Sequence, residues 1–244
     1  NTIHGLLKQE IVLLPYKEKK VVTQNTTMVK HMKSYDKAFV TGCDENHEWM
    51  LEWFFKNYKK HMKDVPLIFA NFGLTPEGLK LVRENVHAVM NLKTFDEKGW
   101  FKKPMSMIKS PSKKTVWIDL DCEIRDDIRD LFDILQPNKL NMVEDKPWTT
   151  RGQALWHNSG VVGFIDKPPI LYQWAKAIRD DPVQGDQEVL HLMLNPITKI
   201  AHINDLPNEY NVLRLQTEVD GYGGAIRVMH WTGQKGKDKI KAML

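Results

Sequence analysis

The chain has 244 residues, of which 42% are hydrophobic and 27% charged, enough apolar material for one large α/β domain or two small ones. The formal net charge is only +4 and the sequence pI is about 8.8, with no basic-aromatic platform, which argues against nucleic acid as a partner. No apolar run approaches the roughly 18 residues that a membrane span needs, and no signal peptide is visible.

Cys43 and Cys122 are too few for a disulfide framework and lack metal-knuckle spacing. Free thiols in a reducing, cytoplasmic compartment are expected, with one disulfide left open. The basic stretches Lys17-Glu18-Lys19-Lys20 and 235–241 suit a solvated surface first, then acidic ligands or peripheral association with a membrane. The chain opens on Asn1, the expectation for a trimmed piece whose flanks could carry an anchor or a further domain.

Residues 1–36 form an extension of uncertain pattern, with a short strand predicted at Ile11–Leu14. From Lys37 onward the pattern sharpens. Ala38–Gly42 predicts a buried strand, and Glu45–Met62 a helix with Trp49, Trp53, Phe54, Tyr58 and Met62 as its core stripe. Val65–Ala70 predicts the next strand. Thr75-Pro76-Glu77 carries an N-cap followed by proline at the first helical position. Val86–Asn91 predicts a strand, Trp100–Ser110 a short helix and Thr115–Leu120 a strongly apolar strand. This alternation predicts an α/β fold with a mostly parallel central sheet and helices on both faces, whose ligands sit at the carboxyl ends of strands.

Further on, Leu140–Val143, Leu155–Trp156, Val161–Ile165, Ile200–Ile203 and Ile226–Trp231 predict strands. Pro168–Asp180 and Gln184–Leu194 predict helices. No repeat or low-complexity linker interrupts the chain, so 37–244 is expected to be one domain.

Asp119 and Asp121 follow the apolar strand with one residue between them. On an extended strand the two side chains point the same way and converge on one cation, and hard ions such as Mn²⁺ or Mg²⁺ favour oxygen ligands. A solvated acidic turn is the plain alternative. His157-Asn158-Ser159-Gly160 offers small polar groups for sugar hydroxyls, ahead of a strand with two glycines that would let a ligand approach the backbone. It reads equally as a turn. In Gly185-Asp186-Gln187-Glu188, an Asp186 N-cap is the favoured local reading. His230 ends a strand and precedes the basic glycine loop Gly233–Lys237, which suits a third metal ligand and a phosphate, or a satisfied histidine and a frayed tail.

Taken as an ordered set, these motifs resemble the GT-A class of nucleotide-sugar glycosyltransferases, especially glycosyltransferase family 8, from about Lys37 to Lys237. The resemblance implies a Rossmann-like GT-A sheet with a nucleotide-binding half at 37–121 and an acceptor and sugar half at 122–244. It implies donor contacts from Thr41, Gly42, Asp44, Lys103, Asp119, Asn158, Ser159, Gly233 and Lys235 or Lys237. It assigns Mn²⁺ or Mg²⁺ to Asp119, Asp121 and His230, and places Asp186 and Gln187 at the reacting sugar. The implied activity is retaining transfer from a nucleoside-diphosphate sugar, UDP-linked, to a glycan or other hydroxyl acceptor. Two other classes compete: a phosphohydrolase of the haloacid dehalogenase type, and a non-catalytic carbohydrate- or nucleotide-binding module.

Overall fold

The computed structural model describes residues 34–244; the strand predicted at Ile11–Leu14 and the Lys17–Lys20 stretch lie outside them. Strand β1 (Tyr35–Asp44) contains the apolar run that starts at Ala38. Helix α1 (Leu51–Met62) follows a 3-10 turn at Glu48–Met50 and does not begin at Glu45. The cause is Asp44, whose carboxylate takes the Asn46 amide and the His47 ring and holds the chain in a turn. Within α1, Trp53, Phe54, Tyr58 and Met62 are buried, while Trp49 is partly buried against the same core.

Strand β2 (Leu67–Gly73) leads to α2 (Pro76–Asn85), where the Thr75 hydroxyl accepts from the Gly78 amide at 3.0 Å. Such a cap stabilises a helix by about 1 kcal/mol. Then come β3 (Ala88–Asn91), a 3-10 turn at Gly99–Lys102, α3 (Lys103–Lys109), β4 (Ser112–Ile118) and the short β5 (Cys122–Ile124).

The second half contains β6 (Leu140–Glu144), α4 (Lys146–Gly152), β7 (His157–Ile165), α5 (Pro169–Asp180) and α6 (Asp186–Met193). It continues through α7 (Pro196–His202), β8 (Ile203–Asp205), β9 (Val212–Leu213), α8 (Arg214–Glu218), β10 (Val228–His230) and α9 (Gly233–Lys241).

Several sequence expectations are corrected here. Leu155–Trp156 is not a strand: the Trp156 amide donates to Thr149 Oγ1 and its carbonyl accepts from the Asp145 amide, which folds the segment back onto α4. Ile200–Ile203 is helical as far as His202, because Asn195 caps α7 through the Thr198 amide and Pro196 opens it. The basic loop after His230 is helix α9. The missed helix α4 carries the same cap-and-proline pattern, with Asp145 accepting from the Trp148 amide.

The main sheet has the order β3-β2-β1-β4-β7-β6-β8, with β7 antiparallel to both of its neighbours and the other pairs parallel. Alternate strand residues feed two cores. Phe39, Phe69 and Val116 pack with Phe54 and Tyr58 of α1 on one face. Val40, Ile68 and Trp117 share the other core with Ile170 and Trp174 of α5. Helices therefore cover both faces. The chain runs outward from β1 to β3 before returning to β4 on the other side of β1. That reversal opens a crevice at the carboxyl ends of β1 and β4.

A second sheet, β5-β10-β9, sits next to that crevice, with His230 of β10 in register with Cys122 of β5. Among the described residues, no helix is long and apolar enough to cross a membrane.

Candidate active site

The crevice contains two hollows of about 120 Å³ and 440 Å³ that share Trp100, Lys103 and Asp119 as walls. The smaller lies over the β1 end and includes Gly42, Asp44, Asp121 and Lys237. The larger includes Asp145, Asn158, Ser159, Asp186, Gln187, His230 and Gly233.

The acidic pair sits on a turn. Strand β4 stops at Ile118, and the Cys122 amide donates to the Asp119 carbonyl at 3.1 Å, closing Asp119–Cys122 into a tight turn. Asp119 and Asp121 are therefore turn residues and not same-side neighbours on an extended strand. The turn is fixed from both sides, with the Asp119 amide donating to the Gly160 carbonyl and the Trp231 amide to the Asp121 carbonyl.

Pairing of β10 with β5 then sets His230 Nε2 at 3.2 Å from Asp121 Oδ1. The other ring nitrogen, Nδ1, lies 3.1 Å from Asn158 Oδ1 and 3.0 Å from Asn211 Oδ1. Two oxygen acceptors require a proton on Nδ1, so a neutral ring keeps its lone pair on Nε2, toward Asp121. Among the described residues, Asp121, Cys122 and His230 bring potential ligand atoms within 4.8 Å of one another, and Asp119 is not in that group. Burial alone would disfavour charge on this histidine. The Asp121 carboxylate at 3.2 Å favours the charged ring and holds the His230 pKa well above its ordinary value. For Asp121, burial raises the pKa, but His230 and Lys237 pull it below the usual range. Burial also pushes the Cys122 thiol up, so it stays protonated.

Lys103 is almost fully buried. Its ammonium lies 3.0 Å from Asp119 Oδ1, 3.1 Å from Asp186 Oδ2, and 3.1 Å from both the carbonyl and the hydroxyl of Ser159. The two carboxylates overcome the burial penalty and raise its pKa above an ordinary lysine. Asp119 also accepts from the Trp117 indole at 2.6 Å, and burial raises its own pKa against the pull of Lys103. Lys103 thus joins the acidic turn to α6 across the crevice floor.

Asp186 is the first residue of α6, Gly185 is its N-cap, and the Asp186 side chain caps nothing. Its Oδ2 faces Lys103 as an ion pair without a well-aligned hydrogen bond. Gln187 Oε1 accepts from Asn158 Nδ2 at 3.0 Å and the Ser159 amide at 3.2 Å. Both amide groups point their nitrogens at Asp145 Oδ2, from Asn158 at 3.1 Å and from Gln187 at 3.0 Å. Asp145 is 1% exposed, and among the described residues no cation forms an ion pair with it. Sequence reading missed Asp145 and Asn211; the cap-and-proline pattern at 145–147 was the available signal for the first, and Asn211 carries none.

The structure sorts the remaining expected residues. Asn158 and Ser159 lie within β7 and not in a turn before it. Gly160 serves packing: a Cβ there would stand 2.2 Å from His230 Cε1. The space over Gly163 is filled by Leu135, and that over Gly42 by the Ala70 backbone. Thr41 is fully buried and lies outside both hollows, whereas Gly42 and Asp44 line the smaller one. Lys237 lines the crevice and Lys235 is exposed away from it. Gly233 opens α9 with φ +72°, a conformation that favours glycine, and its helix start faces the larger hollow. Both cysteines are free and buried.

No protein-family model and no curated protein matches the chain. Solved structures do. The glycosyltransferase GlyE of Streptococcus pneumoniae TIGR4 superposes with a TM-score of 0.60 at 16% identity, over 81% of this chain and 55% of that one. The chain therefore spans about half the length of GlyE. An active-site glutamine-to-glutamate mutant of LgtC matches with a TM-score of 0.58 at 13% identity, over 85% of this chain and 96% of that one. Mouse xyloside xylosyltransferase 1 matches with a TM-score of 0.53 at 12% identity, over 83% and 98%. The fold is of the GT-A type shared by these proteins.

Proposed function

We propose that this chain is a metal-dependent glycosyltransferase that moves a sugar from a UDP-linked donor to a glycan or other hydroxyl acceptor with retention at the anomeric carbon. One observation carries the reading. His230, from the far end of the domain, meets Asp121 at 3.2 Å in the crevice that also holds Asp186, Gln187, Asn158 and Ser159. The similar structures add support: the fold is one used by glycosyltransferases, and LgtC has been solved with donor and acceptor sugar analogs.

The side chains fit a hard divalent ion. Asp121 offers oxygen, and His230 offers a tautomer fixed by Asn158 and Asn211 with Nε2 toward that oxygen. Asp119, on the same turn, is the third assigned ligand, and its present partners are Lys103 and Trp117. When bound, Mn²⁺ or Mg²⁺ supplies Lewis-acid stabilisation of the departing diphosphate, worth several kcal/mol.

The protein's own residues do the rest. Lys237 and the amide groups at the start of α9 stabilise the diphosphate as charge develops on it. Gly42 and Asp44 border the smaller hollow, on the nucleoside side. Asp186 accepts from sugar hydroxyls and Gln187 sits under the reacting carbon, both held by the Lys103 and Asp145 networks. The bond from the anomeric carbon to the phosphate oxygen breaks with its electron pair leaving on that oxygen. The acceptor oxygen bonds to the same carbon, and its proton passes to the leaving diphosphate. Asp119, Asp121, Asp145 and Asp186 each already face an internal donor or cation, which disfavours all four as the acceptor base that inversion requires; Glu188 is a further carboxylate of the larger hollow, and the product anomer tests it in that role.

The test is a screen of nucleotide sugars with Mn²⁺ that reads released nucleoside diphosphate, followed by NMR of the product anomer. Turnover by wild type that disappears in Asp121→Ala supports the reading. Release of phosphate from simple phosphoesters without nucleotide-sugar turnover supports the phosphohydrolase instead. Glycan binding unchanged by chelation, with no turnover of any donor, supports the binding module.

A further inference from the structure

Beside the crevice lies another hollow of about 540 Å³, lined by Trp156, Val183, Gln184, Glu188 and Leu192. Gln184 and Glu188 also line the larger crevice hollow, so the two hollows adjoin at these two side chains. The join is aromatic. Trp148 lines the crevice and is 46% exposed. Its ring centroid stands 5.9 Å from that of Trp156 at 35°, and Trp156 lies flat on His191 at 3.4 Å and 6°. Trp148 on the crevice and Trp156 on the outer hollow thus form a staircase, with His191 stacked beneath Trp156 as its support.

The staircase is built in place. Asp145 caps the helix that carries Trp148, and the Trp156 main chain is tied at both its amide and its carbonyl. His191 Nδ1 lies 2.7 Å from the Lys199 ammonium, which also donates to the Leu155 carbonyl at 2.6 Å. Burial first, and the Lys199 ammonium second, push the His191 pKa down to about 4, so the ring is neutral and stacks as a flat surface.

A half-exposed tryptophan held rigidly at a cleft rim calls for a ligand with an apolar face. A pyranose has such a face in its axial C–H groups, and hydroxyls around its edge. Gln184 can donate and accept, and Glu188 can accept, at the point where the two hollows meet. The combination of flat rings with edge hydrogen-bonding groups fits a neutral sugar better than an alkyl chain.

We propose that Trp148, Trp156, Gln184 and Glu188 form a subsite for a neutral oligosaccharide of two or more units. Its role as the acceptor arm rests on the glycosyltransferase reading above; its binding of glycan needs neither metal nor donor.

The experiment titrates an array of neutral mono- to tetrasaccharides into the metal-free, donor-free protein, followed by tryptophan fluorescence and calorimetry. Wild type is expected to bind di- to tetrasaccharides more tightly than monosaccharides. Trp148→Ala is expected to lose about tenfold in affinity for the longer glycans, and Trp148→Phe, which keeps a flat ring, to recover part of it. If Trp148→Ala does not fold, Trp148→Phe and Glu188→Gln carry the test, each expected to weaken longer glycans selectively. Wild type binding none of the array, or variants binding as tightly as wild type, overturns the proposal. So does a wild-type dimer that Trp148→Ala dissociates, which makes the staircase an interface between copies. Diphosphate release with water as acceptor is measured separately and judges only the transferase reading.

Discussion

Asp121 Oδ1 and His230 Nε2 meet at 3.2 Å, and neither is free to move away. The aspartate sits in a turn bonded to the Gly160 and Trp231 backbones, and the histidine sits on a strand in register with Cys122. Asp121→Ala and His230→Ala are both expected to weaken Mn²⁺ binding by calorimetry and to lower turnover about 10²- to 10³-fold, since several kcal/mol of charge stabilisation is removed. The secondary structure by circular dichroism should be unchanged.

The same pair sets a pH dependence. Without metal, His230 is held protonated above its ordinary range, and the proton occupies the nitrogen a cation needs. Mn²⁺ affinity is therefore expected to rise with pH through and above the ordinary histidine range. In chelator, the raised His230 pKa contributes stability that is complete below about pH 6.5 and is lost as pH rises through its folded value. The lowered Asp121 pKa contributes stability present above about pH 3.9 and lost as pH falls through its folded value. Melting temperatures across pH, with and without Mn²⁺, check both signs.

Lys103 holds two carboxylates with one buried ammonium. Lys103→Met leaves Asp119 and Asp186 buried without their cation and is expected to destabilise the fold by about 3–5 kcal/mol in urea titrations. The loss should shrink toward acidic pH, because in the variant the folded state gains protons on carboxylates that the unfolded state still keeps ionised.

Asp145→Asn tests the amide network with little change in volume. The new amide keeps a single oxygen: turned toward Asn158 and Gln187 it sets nitrogen against the Trp148 amide and loses the α4 cap, and turned the other way it forces one or both of those amides to turn over. Activity is expected to fall about 10- to 100-fold, the cost of misplacing charge-assisted hydrogen bonds, with a smaller loss of stability than in Asp145→Ala. Mn²⁺ affinity should fall as well if the Asn158 oxygen turns away from His230. Steady-state kinetics and metal titration on the same samples check this.

Lys237 and Lys235 are separated by the structure. Lys237→Ala is expected to raise the donor KM about tenfold, and Lys235→Ala to leave it unchanged. A reversed result would mean that the helix start is wrongly placed relative to the diphosphate.

Much of the fold was legible because local signals agreed. The strand at Ala38–Gly42, the capped helix after Thr75 and the apolar strand before Asp119 each carry periodicity and boundary residues that point to one answer. The misses have a physical pattern. Trp156 looks like strand sequence, but bonds to Thr149 and Asp145 pull it back onto a helix that apolar periodicity does not reveal. Ile200 looks like strand sequence beside an overlooked Asn195-Pro196 cap.

By itself, the order of residues determined the alternation of strands and helices and the kinds of chemistry available: acids after an apolar strand, amides, a late histidine and lysines. Contacts between distant segments decided the rest. Only the pairing of β10 with β5 puts His230 on Asp121, only burial turns Lys103 into a clamp on Asp119 and Asp186, and only the path of α9 chooses Lys237 over Lys235. Periodicity reports which side of an element is apolar. It holds no information about which remote element will cover that side, and buried charge becomes meaningful only once its partners are in place.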